Sequence, residues 1–128
     1  MKRLLALVLA APLFVAASAP RAFTIGGSPF TQAEIVDARA QPDLDGKAAI
    51  LITFSPAGAT RLATLSRGLI GKAMRIELDG RLLAEPVVRD EIKDGVAQIS
   101  GNFTVPEADA LALAIAGKPP LSDSLDGP

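Results

Sequence analysis

The chain has 128 residues, enough for one domain, and its 49% hydrophobic and 21% charged residues exclude an intrinsically disordered body. A formal charge of −1 provides no basic field for a phosphate backbone, which argues against nucleic acid as a partner. The chain contains no Cys, His, Trp or Tyr, so disulfides, thiolate nucleophiles, the commonest general base and the commonest transition-metal ligand are all excluded.

The first nineteen residues have the three-part pattern of a secretory signal. Lys2 and Arg3 are followed by an apolar stretch, 4–15, and by the small residues 16–19. We expect cleavage after Ser18, with the mature chain beginning somewhere in 17–23. An uncleaved anchor is the alternative, but the apolar stretch contains Pro12 and is shorter than the ~20 residues that a spanning helix needs. Removal of 1–19 leaves 11 basic against 14 acidic residues, a formal charge of −3.

Residues 20–30 contain the Gly-Gly-Ser-Pro run at 26–29 and are predicted to be a linker. Thr31 and Glu34 have the spacing of a capping box, which predicts a helix from 31 to about 40. The apolar run 48–54 predicts a strand covered at least partly on both faces.

Ser55 and Pro56 predict the start of a second helix, whose apolar stripe is Gly58, Leu62, Leu65 and Leu69. The alternation in 74–78 predicts a half-buried strand, and Asp79-Gly80 predicts a type I′ turn into a second strand at 81–83. Pro86 then indicates a sheet edge or a bend.

Asp94-Gly95 predicts a turn before a strand at 96–100, which Gly101-Asn102 closes. Thr104 and Glu107 form a second capping box, and Gly117 predicts the end of that last helix. Residues 122–128 are small and polar and are expected to be a flexible tail. This order predicts an α+β fold, with a four-stranded, mostly antiparallel sheet and helices packed on one face.

Several stretches resemble the head of the large periplasmic domain of SecD, a protein-export subunit. They are the strand-turn Leu78-Asp-Gly80, the strand-end Ile99-Ser-Gly101, and the segments 52–59, 62–66, 85–88 and 103–108. The ending 117–121 is similar to the stretch that precedes the membrane helices in that family. The resemblance spans 31–121 and implies the role of the head alone, which is contact with unfolded or translocating polypeptide, with the Sec translocon as a further candidate partner.

The residues themselves indicate no catalytic, cofactor-binding or metal-binding site. The carboxylates that could cluster near the hairpin are Asp79, Glu85, Asp90 and Glu91, and the candidate nucleophiles are Ser66 and Ser100, but neither serine has an evident base. We therefore expect a non-enzymatic periplasmic protein without cofactor, metal, nucleic-acid partner or stable membrane insertion. Its partner would add to an exposed sheet edge near Pro86. The alternative is a dedicated protein-interaction subunit of another envelope complex.

Overall fold

The structure is a computed structural model and describes residues 22–122, so the predicted signal segment 1–19 and most of the predicted tail 122–128 lie outside the described residues. The elements in chain order are β1 (Phe23–Ile25), β2 (Ser28–Phe30), a single 3₁₀ turn (Gln32–Glu34), β3 (Ile35–Pro42), β4 (Ala48–Phe54), α1 (Pro56–Arg67), β5 (Ile76–Leu78), β6 (Arg81–Ala84), β7 (Val96–Phe103) and α2 (Val105–Ala116).

The strands form two antiparallel sheets, which confirms the α+β class. One sheet has four strands in the order β2-β1-β5-β6, and the other has three in the order β3-β4-β7. The four strands predicted from the sequence do not share one sheet, because β4 and β7 belong to the three-stranded sheet and β5 and β6 to the four-stranded one. Hydrophobic alternation shows which face of a strand is buried and not which strand it pairs with.

The segment predicted to be a linker, 20–30, contains the hairpin of β1 and β2. Gly26 and Gly27, with φ of 59° and 84°, form its two-residue turn. Phe23 and Ile25 are buried, and β1 pairs with β5 as well as with β2. The Gly-Gly pair is therefore a hairpin turn inside the domain and not a boundary before it.

The helix predicted for 31–40 is wrong. The capping box does form, with the Thr31 amide donating to Glu34 Oε1 at 2.9 Å, but the helical geometry ends at Glu34. Residues Ile35–Pro42 pair with β4 instead, and the pairing buries Ile35 and Ala38. A short helix gains little from its own hydrogen bonds, so pairing with a buried strand decides the outcome.

The remaining predicted elements are confirmed with small changes. Ser55 Oγ accepts from the Gly58 amide at 3.2 Å and starts α1. The turn before β6 has Asp79 at a φ of 52°, as the predicted type I′ geometry requires. The strand expected to close at Gly101-Asn102 runs on to Phe103. Thr104 caps α2, and Gly117 ends it in the left-handed region at a φ of 75°.

The core lies between the inner faces of the two sheets and the helices. Alternate β4 residues point into it, among them Ile50 and Ile52, neither of which has exposed surface. The buried side of α2 closes the core with Ala108, Leu111, Ala112 and Ile115. The rings of Phe30 and Phe54 meet edge to face with centroids 5.5 Å apart, joining the β1–β2 hairpin to the three-stranded sheet.

Candidate functional site

The four-stranded sheet ends at β6, whose outer side has no strand partner in that sheet. The type I′ turn makes Leu78 and Arg81 a hydrogen-bonded pair, so the next pair, Glu77 and Leu82, is of the non-hydrogen-bonded kind. The N–H and C=O of Leu82 therefore point away from β5. Pro86, two residues after the strand, has no N–H to donate, as the sequence led us to expect near an edge.

The three-stranded sheet ends at β7, which among residues 22–122 pairs only with β4. The Phe54 amide donates to the Gly95 carbonyl at 2.8 Å, and this bond fixes which residues of β7 face β4. Because the pattern alternates along an antiparallel ladder, the main-chain groups of Val96, Gln98 and Ser100 point outward. The Val96 amide donates to Asp94 Oδ1 at 3.2 Å, so the main-chain donors that this edge presents are those of Gln98 and Ser100.

The two edges face each other across an open cleft of about 470 Å³. One wall is 83–86 and the other is 98–101, and we call the space between them the inter-sheet cleft. A Cβ on Gly101 would lie 3.3 Å from the Leu83 carbonyl oxygen and 3.0 Å from the Phe103 ring, so the walls approach closely at that end. The wall 98–101 provides the outward main-chain groups of β7, and the Leu83 carbonyl oxygen faces it from the other wall. An added extended chain can pair with such a strand edge.

The walls of the inter-sheet cleft are close to neutral. Glu85 is the one charged residue among those that line it, and its carboxylate lies 3.2 Å from Arg75. Arg75 also contacts Glu77 at 2.9 Å, and Glu77 and Glu85 together raise the pKa of Arg75. Whatever binds there does so with little help from long-range charge.

The residues considered for catalysis do not converge. Asp79 accepts from the Ala22 amide at 2.9 Å, and Glu91 lies 3.3 Å from Arg67, so these carboxylates are held by separate partners. Ser66 is fully buried, donating to the Ala63 carbonyl and accepting from the Ile92 amide at 2.8 Å, which is a structural role. Ser100 is exposed on the wall of the cleft. Within 22–122 there is no group of three or more acidic, His or Cys residues that could hold a metal.

An edge near Pro86 was predicted from the sequence, but the opposite wall of the cleft was not. The pattern of 96–100 predicts a strand and contains no signal for its position in the sheet. Gly101 was the available signal, because a glycine inside a strand often marks the close approach of another backbone.

Neither helix of the part from 22 to 122 is long and apolar enough to cross a membrane.

Comparison with known proteins places the chain in a family. Residues 13–118 match the family model described as SecDF, P1 head subdomain. The protein translocase subunit SecDF of Thermus thermophilus is 40% identical over 91 residues, which are 71% of this chain and 12% of that protein. The protein translocase subunit SecD of Dictyoglomus turgidum is 31% identical over 90 residues, which are 70% of this chain and 23% of that protein.

Solved structures agree with this assignment. A structure of SecDF, described as a membrane component that enhances protein export, superposes with a TM-score of 0.66 at 39% identity, covering 73% of this chain and 43% of that one. The crystal structure of SecDF in the super-membrane-facing form gives the same TM-score and identity, covering 73% of this chain and 13% of that one. The chain spans less than a quarter of the length of the two curated relatives named above. The chain belongs to the SecDF P1 head subdomain family.

Proposed function

We propose that this chain binds extended segments of unfolded or translocating polypeptide in protein export, and that the inter-sheet cleft is where they bind. The observation that carries the proposal is the pair of strand edges, β6 and β7, that face each other across an open space. Main-chain hydrogen bonds to an edge do not depend on the side chains of the partner, which suits clients of unrelated sequence. The relatives support an export role, since those named above are protein translocase subunits.

We also propose that the chain is exported to the periplasm by a cleaved segment 1–19, and that it works there without catalysis, with the Sec translocon as a candidate partner. The basic, apolar and small-residue order of 1–19 supports export. The P1 head of SecDF is a periplasmic domain of a membrane protein, which agrees with that location. The absence of His and Cys from the sequence supports a role in binding.

A proline at position 98 tests the cleft. The Gln98 amide points away from β4, so Gln98→Pro removes one outward donor and leaves the β4 ladder in place. Gln98→Ala is the matched control, because it removes the same side chain and keeps the N–H. We expect Gln98→Pro to weaken binding of a labelled, unfolded exported protein by roughly two- to tenfold, which corresponds to the loss of one hydrogen bond, with Gln98→Ala unchanged. Fluorescence anisotropy measures the affinity.

Salt and folding controls complete the experiment. The affinity should change little between low and high salt, because Glu85 is the one charged side chain among the residues that line the cleft. Circular dichroism must show the same fold for both variants. Equal binding by Gln98→Pro and the natural protein would exclude the cleft. Failure of the natural protein to bind unfolded polypeptide, together with stoichiometric capture of one folded envelope protein, would instead support the dedicated-subunit alternative.

A further inference from the structure

The β7 edge of the inter-sheet cleft is bounded at its start by Asp94. The bond from the Phe54 amide to the Gly95 carbonyl makes the next residue, Val96, face away from β4. The Val96 amide is therefore the first outward donor of β7, and it is the amide that Asp94 Oδ1 accepts from. A chain that adds to this edge finds its first donor already taken.

The carbonyl of an added chain competes poorly with Asp94 for that amide. A hydrogen bond to a charged acceptor is roughly twice as strong as one between neutral groups. The Asp94 side chain also bonds the main chain only two residues on, as aspartate commonly does in turns, whereas a client carbonyl must first be ordered. Asp94 therefore keeps the Val96 amide when a neutral chain arrives.

A bulge bounds the same edge at its other end. Ser100 pairs with Ala49. The preceding residue of β4, Ala48, pairs with Phe103, so residues 101 and 102 have no partner in β4. Extra residues in one strand bend it and interrupt the ladder. The regular alternation of outward groups on β7 therefore ends at Ser100.

The opposite wall of the cleft closes on β7 at the bulge. A Cβ on Gly101 would lie 3.3 Å from the Leu83 carbonyl oxygen. A strand added between two others needs about 4.8 Å on each side, and the walls are too close for that at Gly101. An added chain can therefore follow the edge through the cleft to Ser100 and cannot continue past Gly101.

We propose that Asp94 determines the position and the length of the polypeptide segment that the inter-sheet cleft binds. Between Asp94 and the bulge, β7 offers a client two main-chain donors, the amides of Gln98 and Ser100. Outward groups alternate along a strand, so two donors engage a stretch of about three client residues, or about five with one flanking residue on each side. The inference rests on the proposed function, because it specifies the client of that same cleft as a short extended segment.

Two substitutions at position 94 test the role of the carboxylate. Asp94→Ala frees the Val96 amide and lengthens the row of donors on β7 from two to three. Asp94→Asn is the matched control, because its side-chain oxygen can still accept from Val96 although the charge is lost. Asp94 is exposed, and the bond between Phe54 and Gly95 that sets the register involves main-chain atoms only. Both variants should therefore keep the fold, which circular dichroism checks.

The first readout is the affinity for the labelled, unfolded exported protein, measured by fluorescence anisotropy. We expect Asp94→Ala to bind it roughly two- to tenfold more tightly than the natural protein does, which corresponds to the gain of one hydrogen bond. Asp94→Asn should bind it as the natural protein does. Equal tightening in both variants would show that the lost charge, and not the freed amide, is responsible.

The second readout is amide hydrogen exchange of the mature chain, resolved by residue, with and without the unfolded protein. In the natural protein the client should slow exchange at Gln98 and Ser100 and leave Val96 unchanged, because Asp94 already holds that amide. In Asp94→Ala the client should slow exchange at all three. Protection of Val96 by the client in the natural protein, or its absence in Asp94→Ala, would overturn the inference.

The outcomes separate the role of Asp94 from the cleft itself. If Gln98→Pro binds the client as well as the natural protein does, the cleft is excluded and the inference fails with it. If Gln98→Pro weakens binding while Asp94→Ala binds no more tightly than Asp94→Asn, the cleft stands and the role given to Asp94 is wrong.

Discussion

Gly58 lies in the first turns of α1, where an alanine would ordinarily stabilise a helix by about 1 kcal/mol. The structure predicts the opposite result. A Cβ on Gly58 would lie 2.7 Å from the Glu34 carbonyl oxygen, 3.0 Å from the Glu34 Cβ and 3.3 Å from the Phe54 ring. The first of these atoms is main chain and already accepts from the Ser55 amide at 2.8 Å, so it cannot move without weakening that bond.

The net effect follows from comparing these terms. Overpacking of this kind costs about 1–3 kcal/mol, and the disturbed hydrogen bond adds about 0.5–1.5 kcal/mol, against a helix gain of about 1 kcal/mol. We expect Gly58→Ala to lower the free energy of unfolding by about 0.5–3.5 kcal/mol. For a domain of this size that is a fall in Tm of at least about 2 °C.

Gly68, at the other end of α1, is the matched control. It has an ordinary helical φ of −76°, and a Cβ there would lie 3.6 Å from the Leu65 carbonyl oxygen, which is a normal contact. Gly68→Ala should therefore be neutral or stabilising by up to about 1 kcal/mol, mainly through the unfolded chain. Urea unfolding followed by circular dichroism measures both. If Gly58→Ala is as stable as Gly68→Ala, the close approach of α1 to Glu34 does not restrict position 58 and our reasoning is refuted.

Two further predictions concern single carboxylates. Asp79→Asn should leave the Tm nearly unchanged, because Asn tolerates the φ of 52° and its side-chain oxygen can accept from the Ala22 amide. Asp79→Pro should lower the Tm sharply, since proline forbids that φ and removes the Asp79 amide bond to the Ala22 carbonyl. A large loss of Tm with Asp79→Asn would show a role for the charge of Asp79. The bond from Arg39 makes the pKa of Asp37 lower in the folded chain than its ordinary 3.8, so its contribution to stability is present above that pH and is lost as the pH falls through the folded value. When the free energy of unfolding is measured against pH, Asp37→Asn should therefore lose less stability on the acid side than the natural protein. Equal losses would contradict the lowered pKa of Asp37.

The loss of stability at acid pH that remains in Asp37→Asn comes from Glu34. Burial of Glu34 would raise its pKa, but the bonds from Arg61, at 2.7 and 2.9 Å, and from Thr31 outweigh that effect and lower it. Glu34 therefore also favours the folded state above its ordinary pKa, and its share is lost at lower pH.

Local chemistry by itself determined the elements whose signals do not depend on a distant partner. The Asp79-Gly80 turn was predictable because positive φ restricts the residues that fit it, and the ends of α2 because Thr104, Glu107 and Gly117 satisfy its terminal main-chain groups within a few residues. The resemblance to the SecD head was equally visible, since it depends on short strings at fixed separations. The α+β class followed from the order of these elements.

Only the tertiary structure decided which strands meet. The capping box at Thr31 forms as predicted, yet Ile35–Pro42 is a strand because β4 offers a buried partner that a single turn of helix cannot match. The hairpin at Phe23–Phe30 is stable because β1 also pairs with β5, far along the chain. The inter-sheet cleft and the bond from the Leu121 amide to Asp37 both join segments distant in sequence, 83–86 with 98–101 in the cleft. Such sites are absent from any local pattern, because long-range pairing and burial create them only when the chain has folded.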